Sequence, residues 1–194
     1  MRSRPAILVL AAGASARMRG ADKLLMPVDG VPLLLRAVRA ACAAAAEVLV
    51  ALPADDRART SWLTDLPVTR LPVGERAMGA SIAAGAGAVR ADSLMVHLAD
   101  MPEIDADALD CLAEAWRRGA APILRATTSD GRPGHPVVFD RSLYPDLREL
   151  SADSGARELL RTRTVETYPL PGNAAVVDLD TPEAWAEWRA RTGR

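Results

Sequence analysis

Short, unbroken apolar runs separated by helix-length amphipathic segments dominate this sequence, and that alternation narrows the fold more than any other feature. Residues 6–10 (AILVL), 48–52 (VLVAL), 93–98 (SLMVHL), 122–126 (PILRA) and 174–177 (AAVV) are strand candidates. Continuous rather than alternating apolarity marks strands covered on both faces. Between them, Pro32 suits a first helical position, and Leu34, Val38 and Cys42 then follow at i, i+4 and i+8 on one face. Asp105 can cap a segment whose Leu109, Leu112 and Trp116 share a stripe. Ser154 can cap residues 156–163, and Thr181 with Pro182 opens a last helix with Trp185 and Trp188 one turn apart. Strand and helix in alternation predict a layered α/β domain with a mostly parallel sheet. No low-complexity linker interrupts residues 1–194, so the chain is read as a single domain.

Composition excludes several classes. Lysine plus arginine number 24 and aspartate plus glutamate 25, a formal net charge of −1. A general nucleic-acid or membrane-surface binder needs a basic excess, so any anion site must be built locally. Hydrophobic residues make up 49% and charged residues 25%, as in an ordinary globular chain. A chain of this size buries roughly 70% of its unfolded surface and needs no staples. Two cysteines, Cys42 and Cys111, make neither a disulfide framework nor a zinc site, and both fall in apolar helical patterns that predict burial. The basic start and following apolar run lack a signal-peptide layout, and no run approaches a membrane span, so the expected location is cytoplasmic.

Open α/β sheets bind ligands beyond the carboxyl ends of their strands, which directs attention to four loops. The first, residues 10–23 (LAAGASARMRGADK), follows the first strand. Small residues let the backbone approach a ligand, Gly13 and Gly20 permit φ > 0, and free amides in such a turn surround an anion. Arg17 adds a cationic fork and Lys23 a point charge. These parts describe a triphosphate cradle, although small residues with two cations also describe a plain surface loop. Neither the P-loop nor the dinucleotide glycine fingerprint is present. The second loop places Asp100 at a strand end, where a carboxylate suits Mg²⁺ or serves as a turn aspartate. In the third, Asp178 and Asp180 lie two apart on an extended segment and face one side, which suits a cation between them; Asp180 equally suits the N-terminus of the last helix. The fourth, residues 131–136 (GRPGHP), reads as a rigid turn whose His135 is either a donor to substrate or simply exposed. His97, inside an apolar strand, is expected to be a satisfied core histidine.

Residues 10–18 (LAAGASARM) followed by Lys23-Leu-Leu resemble the signature of the molybdenum cofactor nucleotidyltransferases, most of all the cytidylyltransferase branch. Further segments agree in the same order: residues 31–34 (VPLL), 78–81 (MGAS), 98–102 (LADMP), 134–136 (GHP), 153–157 (DSGAR) and 178–183 (DLDTPE). The resemblance implies a Rossmann-like, three-layer nucleotidyltransferase fold and transfer of a nucleotidyl group with release of pyrophosphate. Carried over by position, Leu10, Ala11, Ala12, Gly13, Ser15, Arg17, Lys23, Gly79, Ser81 and Asp100 would bind the nucleoside triphosphate. Arg17, Lys23 and Asp100 would be catalytic, and Asp100 would hold Mg²⁺ with Asp178 or Asp180. Gly134, His135, Asp153 and Arg157 would face the acceptor. A molybdoenzyme or its chaperone is the implied downstream partner.

This chain departs from the family pattern at residues 77–81 (AMGAS, against Gly-Met-Ser-x-Ser) and at Ala152, where the family often has Gly. Arg17 to Lys23 is one residue longer than in some cytidylyltransferase members. The guanylyltransferase branch typically reads Leu-Ala-Gly-Gly against residues 10–13 (LAAG) here, which favours CTP over GTP. With an acceptor phosphate already ionised, the expected chemistry is in-line attack on the α-phosphorus, driven by positioning and charge stabilisation. Two other readings remain: the same machinery serving a sugar phosphate or methylerythritol phosphate, and a non-catalytic molybdenum-cofactor carrier or maturation factor. Only 4% of residues are aromatic, so no ring platform for a base is evident. The central expectation is that Lys23 and Asp100 share one cleft.

Overall fold

A computed structural model of the chain describes residues 1–151 and 155–194. Four of the five expected strands form: β1 (Ala6–Leu10), β4 (Val48–Pro53) and β6 (Ser93–Leu98), where apolarity is continuous, and the run at 122–126, which becomes β7 (Ile123–Thr127). A short antiparallel pair, β2 (Pro27–Val28) and β3 (Val31–Pro32), precedes α1 (Leu33–Ala44). Pro32 therefore sits in the N-cap place, one residue before the helix. Next come α2 (Arg57–Ser61), β5 (Thr69–Val73), α3 (Met78–Ala88), α4 (Ala106–Arg118), β7 (Ile123–Thr127) and β8 (Pro133–Asp140). The chain ends with α5 (Tyr144–Arg148), α6 (Arg157–Thr162), β9 (Val165–Pro169) and α7 (Pro182–Thr192).

The described strands other than β2 and β3 form one sheet in the order β5-β4-β1-β6-β8-β7-β9. All neighbours run parallel except β8, which is antiparallel to β6 and β7. Side chains of β1 and β6 alternate between two cores. Ile7, Val9 and Met95 pack with α1 and α4 on one face; Leu8, Leu94 and Val96 pack with α3 and α5 on the other. This is the three-layer α/β arrangement expected from the alternation. Asp105 caps α4 through the Ala108 amide at 2.9 Å, and Leu109, Leu112 and Trp116 are buried along one stripe. Thr181 caps α7 through the Ala184 amide at 3.1 Å, and Trp185 and Trp188 meet edge-on at 6.4 Å. No helix among the described residues is long and apolar enough to cross a membrane.

The structure corrects several local expectations. Residues 174–177 are not a strand; a 3₁₀ turn, Ala174–Val176, presses its small side chains into the core. Residues 133–136 are not a loop but the start of β8, where Pro133 needs no ladder donor. The edge strand β5 carries polar residues on its exposed side, which hid it from apolar periodicity. Cys42 is half-buried and Cys111 exposed, because each lies at the margin of its helix stripe. Ser154, the candidate cap of α6, lies outside the described residues.

Gly134 is where the 3₁₀ turn meets the sheet. A Cβ there would stand 1.8 Å from the Ala175 carbonyl oxygen, a backbone atom that cannot swing away. Gly134→Ala is therefore expected to destabilise the fold by about 1–3 kcal/mol or more through overpacking. Urea denaturation checks this, and an unchanged midpoint would contradict the close approach.

Candidate active site

Leu10 at the end of β1 pairs with Leu98 at the end of β6, so the loops that follow begin side by side. The Ala99 amide donates to the Leu10 carbonyl at 3.2 Å. The opening loop then turns through Ser15 (φ 51°), Arg19 (φ 52°) and Gly20 (φ 95°). Gly20 supplies positive φ as anticipated; Gly13 does not, and Ser15 carries that conformation instead. The Ser15 hydroxyl accepts the Lys23 amide and donates to the Asp22 carboxylate, each at 3.2 Å.

A residue that no sequence pattern singles out holds this loop in shape. Arg59, on α2, is only 2% exposed. Its Nε and Nη2 each donate to the Asp22 carboxylate at 2.8 Å, and its Nη1 donates to the Ala11 carbonyl at 2.6 Å. Burial works to raise the Asp22 carboxyl, but the Arg59 fork outweighs it and holds the group below the usual carboxylate range. The Asp22 carboxylate also accepts the Leu24 amide at 3.0 Å, which aims Lys23 inward.

Lys23 is 8% exposed, and its ammonium pairs with both Asp100 and Asp180. Burial acts to lower the Lys23 pKa, yet Asp100 first and then Asp180 raise it above the ordinary lysine value. The Leu179 amide donates to the Asp100 carbonyl at 3.1 Å, which ties the segment bearing Asp178 and Asp180 to the end of β6. Leu179 itself is buried with Met18, Leu33, Trp185 and Trp188 in a small separate core. The Trp185 indole donates to the Leu179 carbonyl at 3.1 Å. Side chains on either side of Leu179 are thereby turned to the cleft. Arg17 pairs with Asp180 from the exposed side. Asp178 has no partner among the described residues; partial burial, then the charges of Asp180 and Asp100, raise its carboxyl. Asp100 Oδ1 is buried without a hydrogen bond among the described residues.

These groups line a cleft of about 350 Å³ together with Leu10, Ala12, Gly13, Ser15 and Ser81. Ala11 and Gly79 are buried behind it and do not line it. The first turn of α3 forms the opposite wall. Its N-cap, Ala77, offers no side-chain cap, so its leading amides are available to an anion. The Ser81 hydroxyl bonds back to the Ala77 carbonyl at 3.0 Å. Arg76, exposed and without an ion pair among the described residues, also lines the cleft. Nothing periodic around Arg76 marks it in the sequence.

A second cleft, of about 680 Å³, adjoins the first through Met78, which lines both. His135 and Arg157 line it, whereas Gly134 is buried outside it and Asp153 lies outside the described residues. The His135 imidazole is pushed down to about 4 by burial and by the charge of Arg125, with the Val96 backbone and Asp100 opposing. It is neutral at ordinary pH.

A mostly parallel sheet with a carboxylate beyond its central strand, a second before the last helix, a buried ammonium between them and an uncapped helix start is suited to holding a nucleoside triphosphate. The chain belongs to the family with a MobA-like NTP transferase domain, whose model matches residues 7–167. It is similar to purine catabolism protein PucB of Bacillus subtilis (strain 168), at 26% identity over 91% of each chain. It is also similar to a probable molybdenum cofactor guanylyltransferase of Synechococcus elongatus, at 28% identity over 93% of this chain and 95% of that one. Among solved structures, Rv0371c of Mycobacterium tuberculosis H37Rv superposes with a TM-score of 0.81 at 25% identity, covering 96% and 98% of the two chains. The same protein solved with manganese gives 0.79 at 22% identity, covering 95% and 97%. The chain is thus an enzyme of the nucleotidyltransferase class.

His97 differs from the expected satisfied core histidine. It is fully buried, and neither ring nitrogen has a hydrogen-bond partner among the described residues. Burial, with the His135 charge adding to it, depresses its pKa to about 3. The folded chain therefore refuses a proton that the unfolded chain accepts below its ordinary value near 6.5. Stability is predicted to fall as pH drops below about 6.5 and to keep falling toward pH 3, with His135 acting in the same sense. His97→Leu should flatten that slope in acid denaturation; an unaltered slope would contradict the assignment. A second prediction concerns Arg59→Leu, which strands the Asp22 carboxylate. The loss is expected at about 3 kcal/mol, the lower end for breaking a buried pair because Asp22 is only half-buried. Denaturant midpoints test it, and a loss below about 1 kcal/mol would contradict it.

Proposed function

We propose that this chain transfers the nucleotidyl group of CTP to a phosphorylated small-molecule acceptor of molybdopterin type, releasing pyrophosphate. The observation that carries the reading is the Lys23 ammonium held between Asp100 and Asp180 at the floor of the cleft. Backbone amides of the opening loop and the first turn of α3 flank the triphosphate. Arg17 and Lys23 face the charge that builds on the α-phosphate and the departing pyrophosphate. The acceptor phosphate is already ionised, so no side chain need remove a proton, and orientation supplies the rate.

Among the described residues, no group of three or more His, Cys, Asp or Glu is placed to hold a metal by itself. Mg²⁺ commonly takes one or two carboxylates together with substrate phosphates, and the converging Asp100 and Asp180 carboxylates, with Asp100 Oδ1 unsatisfied, fit that requirement. Asp100 would hold the ion, with Asp180 or Asp178 beside it, and the bound ion would neutralise phosphate oxygens. Lys23 would then turn from the carboxylates to the phosphates, as a compact ammonium on a flexible stem can. Ala12, which lines the cleft at the position where the guanylyltransferase pattern has glycine, supports the smaller base.

Lys23→Ala and Asp100→Ala are each expected to lower pyrophosphate release by about 10²–10³-fold. The assay compares CTP, GTP and ATP with Mg²⁺ against molybdopterin, sugar phosphate and methylerythritol phosphate acceptors. Activity within tenfold of wild type in either variant would overturn the roles. GTP preference would overturn the choice of nucleotide, and tight CTP binding without turnover would favour the carrier reading.

A further inference from the structure

The second cleft contains a cation that none of the chemistry above uses. Arg125 lies on β7 between Leu124 and Ala126, which face the α1 and α4 core. Its own side chain therefore projects to the opposite face, beside His135 and Val137 of β8. Its Nε donates to the Gly134 carbonyl at 3.0 Å, which fixes the plane of the guanidinium. Neither terminal nitrogen has a hydrogen bond or ion pair among the described residues. Arg125 is half-buried, and that burial lowers its pKa, yet an arginine remains charged. A desolvated charge without a counter-ion is costly, and such costs persist where a ligand repays them.

The surroundings define that ligand. Ile82, Val96, Val137, Phe139 and Leu160 supply apolar walls. No acidic residue among the described residues lines the cleft. Its volume of about 680 Å³ is within the range of small-molecule sites. The cleft adjoins the triphosphate cleft through Met78, and His135 feels the charges of both Arg125 and Asp100. An occupant held at Arg125 therefore reaches toward the reacting end of the nucleotide.

We propose that Arg125 is a specificity residue, its free guanidinium edge clamping an oxyanion of the acceptor, phosphate or carboxylate, while the acceptor's apolar body lies against Ile82, Val96 and Phe139. This rests on the transferase reading only for the word acceptor; the anion site stands on its own geometry. Two probes share an apolar ring and differ in head group: phenyl phosphate and benzoate. Calorimetric titration of the wild-type chain is expected to show binding of at least one, and which one binds tells phosphate from carboxylate. Arg125→Gln should weaken that binding by at least about tenfold, the loss of one charge-assisted hydrogen-bonded fork, and Arg125→Lys should recover part of it. Stabilisation by CTP with Mg²⁺, read by thermal shift, should be unchanged in both variants and shows that they fold. Equal probe binding in Arg125→Gln, or no binding of either probe to the wild type, would overturn the proposal. So would loss of probe binding in Lys23→Ala but not in Arg125→Gln, because the anion would then sit in the triphosphate cleft. Probe binding that depends on Arg125, without pyrophosphate release from any nucleotide, would leave this site intact and sink the proposed transfer reaction alone.

Discussion

One buried ammonium closes the functional end of this molecule. Lys23 joins the opening loop to the end of β6 through Asp100 and to the segment before α7 through Asp180. Three stretches far apart in sequence meet on a single nitrogen. Two carboxylates so placed would repel each other across a partly dry cleft, where charges act more strongly than in water. The lysine removes that repulsion, and its raised pKa is the counterpart of the same attraction.

Everything around the cleft serves to aim those groups. Arg59 moulds the opening loop from beneath by grasping Asp22 and the Ala11 carbonyl. From the other side, the tryptophan pair of α7 buries Leu179 and so fixes which way its two neighbours point. Met18 belongs to that same small core, so the loop carrying the cations and the segment carrying the carboxylates are anchored in common. The site is thus held by packing and by a second ion pair, not by the functional charges alone.

Much of this was legible in the residues. Strands covered on both faces announce themselves as unbroken apolar runs, which is why β1, β4 and β6 stood out. Capping residues Asp105 and Thr181 marked two helix starts correctly, because a short polar side chain before an amphipathic stripe has one economical use. The meeting of Lys23 with Asp100 followed from both lying in loops that leave the carboxyl ends of strands, where such sheets gather their ligands. What escaped notice shares a cause: its meaning depends on distant partners. Arg59 looks like one charge among several in a polar stretch until Asp22, 37 positions away, is brought beside it. Arg76 stands in a segment without a periodic pattern, and Arg125 inside an apolar run that marks a strand but not the face its charge takes. β8 was hidden by Pro133 and Gly134, which read as turn chemistry; yet the glycine is there because a 3₁₀ turn lies against it.

The reversed direction of β8 has a consequence for how such a scaffold diversifies. Because this strand runs opposite to its neighbours, its beginning arrives at the edge where β1 and β6 finish. Two hands therefore work at one bench: the grip on the polyphosphate comes from the opening loop, the end of β6 and the segment before α7, and the neighbouring chamber largely from β7, β8 and α6. Exchanges along β7, β8 and α6 can recast the chamber without touching the grip. A lineage built this way can change what it modifies while keeping how it does so.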